Sequence, residues 1–320
     1  MEEREDIQNS KKRIPQWAVV LCIVLCLAIA AGLMVYSYLH QEEGTVPDPK
    51  TPTSTPSVTP ILNEEGNPAV IDAYVLDVGN GNCFIARSAE GLSLLVDAGH
   101  KKDFDRIETV LDLLGIDRID VFVISRADNG HMGGAVSVLS KYEVGACYMT
   151  KQCAEDSSMQ EVISAIQSRN IPLNLVEATF TSTIGWAENA ELRILSPYDV
   201  TYESAKDYSL MLRLAYGASE ILLASDANKV AERMVVKALP NRLIHSDVLV
   251  VSDHGDKDGT TEKFFSAVKP RIAIVSCSQS NPPDESVLAR LNSACETVLL
   301  TKDSGNVHIT LDGAIAQVVE

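Results

Sequence analysis

Apolar positions follow two regimes along the chain. The first is one run, from Trp17 to Leu39, without a charged residue. About 20 such residues cross a bilayer as a helix, so 17–39 is expected to be a single transmembrane span. Trp17 at one end and Tyr36 and Tyr38 at the other suit the two membrane–water interfaces. Ala28-Ile29-Ala30 resembles a signal-peptide cleavage site, but the apolar run continues through Leu33-Met34-Val35 and favours an uncleaved anchor. Lys11, Lys12 and Arg13 precede the run, and Glu42 and Glu43 follow it. The tail 1–16 is therefore expected in the cytoplasm and the rest outside, on a single-pass plasma-membrane protein.

The second regime starts after a spacer, 40–69, in which Pro47, Pro49, Pro52, Pro56, Pro60 and Pro68 lie among Thr and Ser. Such composition buries too little surface to offset chain entropy. From 70 to 320 short apolar segments alternate between strand and helix character, which fits one large α/β domain. Residues 71–78, 83–87 and 92–97 read as three strands in hairpin-like succession, with Gly79-Asn80-Gly81 and Glu90-Gly91 as turns. Helices are then expected over 103–114, 133–140, 157–169, 229–238, 261–268 and 284–294. Strands are expected over 121–125, 146–149, 192–195, 209–216, 221–224, 247–252, 272–276, 297–301, 307–311 and 314–319. Asp312-Gly313 is a two-residue hairpin signal. Strand groups mixed with helices in each half predict two sheets face to face with helices outside, an αββα sandwich.

Charge changes the picture. The 27 basic and 44 acidic residues give a net −17, and the tail's four basic residues balance its four acidic ones, so the whole excess lies beyond the anchor. Nucleic-acid affinity is dominated by Lys and Arg neutralising phosphates, so no nucleic-acid binding is expected without a metal. Of the five cysteines outside the anchor, Cys147 and Cys153 are close enough in sequence to pair. Cys83 and Cys277 read as small core residues, and nothing in the cysteine spacing suggests zinc.

Tyr74-Val75-Leu76-Asp77-Val78-Gly79-Asn80-Gly81-Asn82, then Leu94-Leu95-Val96-Asp97-Ala98-Gly99, resembles the opening of the metallo-β-lactamase-like domain at the C-terminus of ComEC-type DNA-uptake channels. Ser125-Arg126-Ala127-Asp128-Asn129-Gly130-His131-Met132-Gly133-Gly134 falls where that family has its His-x-Asp-x-Asp-His motif. Ala224-Ser225-Asp226 resembles the later Gly-Asp element, and Ser252-Asp253-His254-Gly255 the strand ending in His-His-Gly-Ser. The resemblance runs in order from Asp72 to the end and implies the αββα fold. It does not extend to the polytopic channel, so transport is not carried over.

A hydrolase of this type needs two divalent ions held by imidazoles and carboxylates. The resemblance implies Asp128, His131, Asp226 and His254 as candidate ligands for zinc or manganese. Arg126 replaces the motif's first His, Gly130 its second Asp, and Asp253 one of the late pair. Asp77 and Asp97 read as loop-bracing carboxylates, and His100 as a loop histidine or a substitute ligand. The Arg126 guanidinium is expected to pair with Asp128, Asp226 or Asp253 in place of a metal. Restoring Arg126→His with Gly130→Asp is expected to recover metal binding. Two functions stay open: a non-catalytic binding or scaffolding ectodomain with a protein or cell-envelope partner, favoured by the motif losses, and a phosphodiesterase- or nuclease-like hydrolase running on one weakly held ion.

Overall fold

The computed structural model describes residues 61–62, 66, 69–198 and 201–319. The expected tail, transmembrane helix and most of the spacer lie outside the described residues. Among those described, no helix is long and apolar enough to cross a membrane.

Two sheets carry the domain. The first contains β1 (Ile71–Val75), β2 (Phe84–Arg87), β3 (Ser93–Val96), β4 (Arg118–Val123), β5 (Glu143–Met149) and β6 (Leu173–Leu175). The second runs through β7 (Thr183–Ile184), β8 (Ala190–Ser196), β9 (Met211–Tyr216), β10 (Ser219–Leu223), β11 (Val248–Val250), β12 (Ile272–Val275) and β13 (Thr297–Leu300). The chain then returns to the first sheet with β14 (Val307–Leu311) and β15 (Ala316–Val319), giving the orders β15-β14-β1-β2-β3-β4-β5-β6 and β13-β12-β11-β10-β9-β8-β7. The hairpin succession read at the start is present: β1–β2 and β2–β3 are antiparallel. From β3 to β6, and again from β10 to β13, neighbours are parallel. Parallel neighbours need crossovers, which here are mostly helical.

The unbroken apolar runs in these strands follow from burial on both faces. On β4, Val121 and Val123 point between the sheets, while Phe122 and, just past the strand, Ile124 point to helices 104–113, 135–141 and 160–168. On β11, Val248 and Val250 face inward, while Leu249 and, just past the strand, Val251 meet helices 229–238, 262–268 and 285–294. One core between the sheets and one under each helical layer make four layers, as expected.

Four details depart from the sequence reading. Leu311 pairs with Ala316, so the last hairpin turns through four residues, not two. Asp312 Oδ1 accepts from the Ala314 and Ile315 amides, each at 2.8 Å, and that Asx-type bonding replaces the tight turn. Ile61, within the stretch read as spacer, donates its amide to Asp312 O at 2.8 Å and packs on the inter-sheet core. Cys147 and Cys153 are both free and buried, because one sits within β5 and the other in the helix Lys151–Glu155 behind it. The short strands β6 and β7 were not anticipated; two or three residues carry no readable period.

Candidate metal centre

The site forms where strands of both sheets end. Asp97 follows β3, the loop Ser125–Asp128 follows β4, Ser225 and Asp226 follow β10, and Asp253 and His254 follow β11. Among the described residues, eight non-glycine residues have left-handed backbone, and Asp97, Ser225, Asp253 and His254 are four of them. Strain of this kind costs on the order of 1–3 kcal/mol per residue and persists where surrounding structure over-determines it. Its concentration at three adjoining strand ends, those of β3, β10 and β11, marks the site independently of any motif.

His131, Asp226 and His254 form a group whose ligand atoms lie within 4.8 Å of one another. His131 Nε2 is 3.4 Å and His254 Nε2 3.2 Å from Asp226 Oδ1. Neither contact has hydrogen-bond alignment, and this buried oxygen has no hydrogen-bond partner. Behind the rings, His254 Nδ1 lies 3.0 Å from Ser276 O, placed to donate to it, and His131 Nδ1 lies 3.5 Å from Asp128 Oδ1. Such bonds leave Nε2 as the lone-pair nitrogen. Two imidazole lone pairs then face a carboxylate oxygen, an arrangement that calls for a cation among them. The donor set of two imidazoles and one carboxylate fits a single divalent ion of the zinc type.

The other oxygen of Asp226 is satisfied differently. Arg126 Nη1 donates to Oδ2 at 2.8 Å, with side-chain exposures of only 14% and 7%, and Arg126 Nη2 lies 3.8 Å from Asp128 Oδ2. The pairing expected of Arg126 is present. Asp253 is held at 2.6 Å through both oxygens by Lys206, from the turn Ala205–Tyr208. Asp128 stands behind His131 and outside the group of three; its Oδ1 accepts from Gly130 N and caps the helix Asn129–Met132. Asp97 braces the β4 loop, accepting from Ser125 N and Oγ, each at 2.7 Å, and Ser125 Oγ meets Ser225 Oγ across the sheets. Asp77 pairs with Arg106 at 2.8 Å, and neither it nor His100 joins the cluster. His100 offers its backbone N–H to Asp103.

Electrostatics agree with the demand for positive charge. Burial alone would lower the pKa of His131, yet the field of Asp97 and contacts with Asp128 and Asp226 raise it to about 10. Burial opposes ionisation of Asp226, but His131 and His254 hold it well below the usual carboxylate range. Asp128 is lowered, chiefly by His131. Burial raises Asp97 to about 6, against His131 and Ser125. A proton on His131 and a divalent ion are alternative answers to the same negative field.

Sequence reading missed four supports. Lys206 carried no motif signal, and neither the Ser276 carbonyl nor the Ser225 hydroxyl was singled out. Glu232 did leave a trace, a carboxylate on the apolar face of helix 229–238 beside Ala231 and Val235. It is fully buried and accepts from Ser252 Oγ, Thr260 N and Thr261 N, pinning both ends of the loop that presents His254. Gly130, read as a lost ligand, has a packing reason: a Cβ there would lie 2.7 Å from Asn80 O and 3.0 Å from Gly81 Cα. The Asn80–Gly81 turn occupies the space an aspartate would need, so the double restoration meets a steric obstacle that the motif did not reveal.

Two facing sheets with outer helices and a His/Asp/His cluster at the strand ends make up the metallo-β-lactamase-like fold that the motif resemblance implied. No family model matches the chain. It is 26% identical over 271 residues to ComE operon protein 3 of Bacillus subtilis, covering 78% of this chain and 34% of that one. It is 28% identical over 244 residues to Recombination protein 2 of Haemophilus influenzae, covering 73% and 28%. Its homologues include competence proteins, of whose length the chain spans about a third. Among solved structures, the metallo-β-lactamase fold protein YhfI of Bacillus subtilis is similar at a TM-score of 0.47 and 9% identity, over 78% of this chain and all of that one.

Proposed function

We propose that this is a membrane-anchored, extracytoplasmic binding domain that holds one divalent ion through His131, Asp226 and His254 and has given up two-ion hydrolysis. The supporting observation is Asp226 Oδ1, a buried carboxylate oxygen facing two imidazole nitrogens with no hydrogen-bond donor. Leaving a charged buried acceptor unpaired costs more than about 1–3 kcal/mol, which a cation would remove. An ion held there would supply Lewis-acid charge to an oxygen ligand. The chain's own residues set the limit: Arg126 and Lys206 already neutralise Asp226 Oδ2, Asp128 and Asp253, the carboxylates a second ion would need. The span 17–39 would hold the domain at the outer face of the membrane.

A second reading, one-ion hydrolysis of a phosphodiester, is favoured by the count of three ligands, which leaves a tetrahedral ion one open position. The purified full-length chain decides between them. Metal analysis is expected to find close to one zinc or manganese per chain, lost in His254→Ala, with no turnover of a simple phosphodiester. Metal-dependent turnover would establish the second reading. Absence of bound metal after incubation with either ion would overturn both.

A further inference from the structure

One polar side chain at the cluster has not been assigned a part. The Asn82 carboxamide nitrogen lies 3.2 Å from His131 Nε2, the ring atom that also faces Asp226 Oδ1 at 3.4 Å. The recorded separations of 3.2, 3.4 and 3.2 Å link Asn82 to His131, His131 to Asp226 and Asp226 to His254. Four ligands arranged tetrahedrally at about 2.0–2.2 Å from an ion stand about 3.3–3.6 Å from one another. The spacing of all three pairs is close to that of ligands around one ion.

Chemistry points the same way. The carboxamide's nitrogen and oxygen exchange places by a half-turn of the terminal torsion. With nitrogen inward it can donate to the lone pair of a neutral His131. With oxygen inward it can accept from a protonated His131 or offer a neutral ligand to an ion. One side chain therefore serves the ion-free and the ion-bound centre without backbone movement. Its backbone is fixed on both sides: Asn82 N donates to Gly130 O at 2.9 Å, and Asn82 O accepts from Gly99 N at 3.0 Å. The close approach of Gly81 to Gly130 sets this segment against the loop bearing His131.

We propose that Asn82 is the fourth protein ligand of the centre, so that the ion is fully enclosed by Asn82, His131, Asp226 and His254. The inference rests on the one-ion reading above and deepens it. A metal with four protein ligands is structural, whereas catalytic sites keep a position open. The ion's part is then to fasten four segments from two sheets into one surface.

Cobalt(II) bound to the full-length chain tests this without any activity assay, because its visible absorption reports coordination number. The wild type should show the intense bands of a four-coordinate ion and no change on adding azide. Asn82→Ala should bind zinc at least about tenfold more weakly, and its cobalt bands should shift with azide as the vacated position is filled. Asn82→Asp should bind more tightly and stay indifferent to azide, since a carboxylate is a better ligand and cannot donate to His131. This second variant keeps the test decisive if Asn82→Ala fails to fold. A wild-type spectrum that responds to azide, or unchanged affinity in Asn82→Ala, overturns the role of Asn82 and leaves the one-ion reading standing. A wild type that takes up neither zinc nor cobalt overturns both.

Discussion

On one side of Asp226 the side chains meet donor to acceptor, and on the other two imidazole nitrogens face the carboxylate with no aligned hydrogen bond. Oδ2 receives the Arg126 guanidinium, Asp128 lies beside the same cation, and Asp253 is held by Lys206, so the carboxylates there are neutralised by the chain itself. Oδ1 faces only imidazole nitrogens, whose outer nitrogens are turned toward Ser276 O and Asp128. The two sides share one carboxylate and have opposite requirements. One has taken its positive charge into the covalent chain, and the other still needs it from solution, as an ion or a proton. A motif match can therefore be half true: losing one set of ligands need not disable the other when fixed cations keep the shared carboxylate ionised.

Removing the internal cation should break that division most severely. Arg126→Ala leaves the buried Asp226 Oδ2 without its counter-charge, and also the half-exposed Asp128 beside it, and breaking a buried pair on one side costs about 3–5 kcal/mol. Denaturant unfolding of the full-length chain in chelator measures this. A loss near 1 kcal/mol would place Arg126 among ordinary surface ion pairs. Next in size is Gly130→Asp, whose Cβ would press on Asn80 O and Gly81. Overpacking of this kind costs about 1–3 kcal/mol. The pair Arg126→His with Gly130→Asp is accordingly expected to fold less stably and to gain no second ion. A second equivalent of metal in that variant would show that the Asn80–Gly81 turn yields.

The difference between these two substitutions also shows what the sequence can express. Strand periods and the Asp97, Asp226 and His254 elements located the sheets and three corners of the site, because burial on both faces writes continuous apolar runs and strand ends carry the chemistry. Gly130 looked like a missing ligand because a motif records identity and not the approach of Gly81 from 49 positions earlier. Lys206 was invisible for a related reason: its partner Asp253 lies 47 residues away and only the packing of the Ala205–Tyr208 turn joins them. Asn82 stood in the quoted motif, yet nothing in the sequence places its carboxamide against His131.

Asp97 offers a pH test of how far the negative field reaches. Its folded pKa of about 6 lies above the roughly 3.9 of an unfolded aspartate. The stability it contributes is therefore complete below about pH 4 and lost as pH rises through about 6. Asp97→Asn removes that dependence while keeping the contacts, since its carboxamide can accept from Ser125 N and donate to Ser125 Oγ, whose proton bridges to Ser225. Between about pH 4 and pH 7 in chelator, the wild type should lose on the order of 1–3 kcal/mol more than the variant. Parallel profiles would mean that the anion is compensated, and a larger loss in the variant that the fold depends on it.

The smallest effect belongs to the second internal cation. Lys206 holds both oxygens of Asp253 at 2.6 Å, but its side chain is 42% exposed where that of Asp253 is 7%. Solvent screens the ammonium, so Lys206→Met should cost only about 1 kcal/mol near neutrality, well below Arg126→Ala. Burial already pushes the Asp253 pKa up, with Lys206 opposing it. Without the lysine that pKa rises further, and Asp253 escapes its predicament by taking a proton in acid. The gap between wild type and variant should then nearly close in acid and widen as pH rises, followed by unfolding free energies from about pH 4 to pH 8 in chelator. A flat gap would show that Asp253 finds another partner. A loss as large as that of Arg126→Ala would erase the distinction between a buried and a half-exposed cation on which the two-sided site depends.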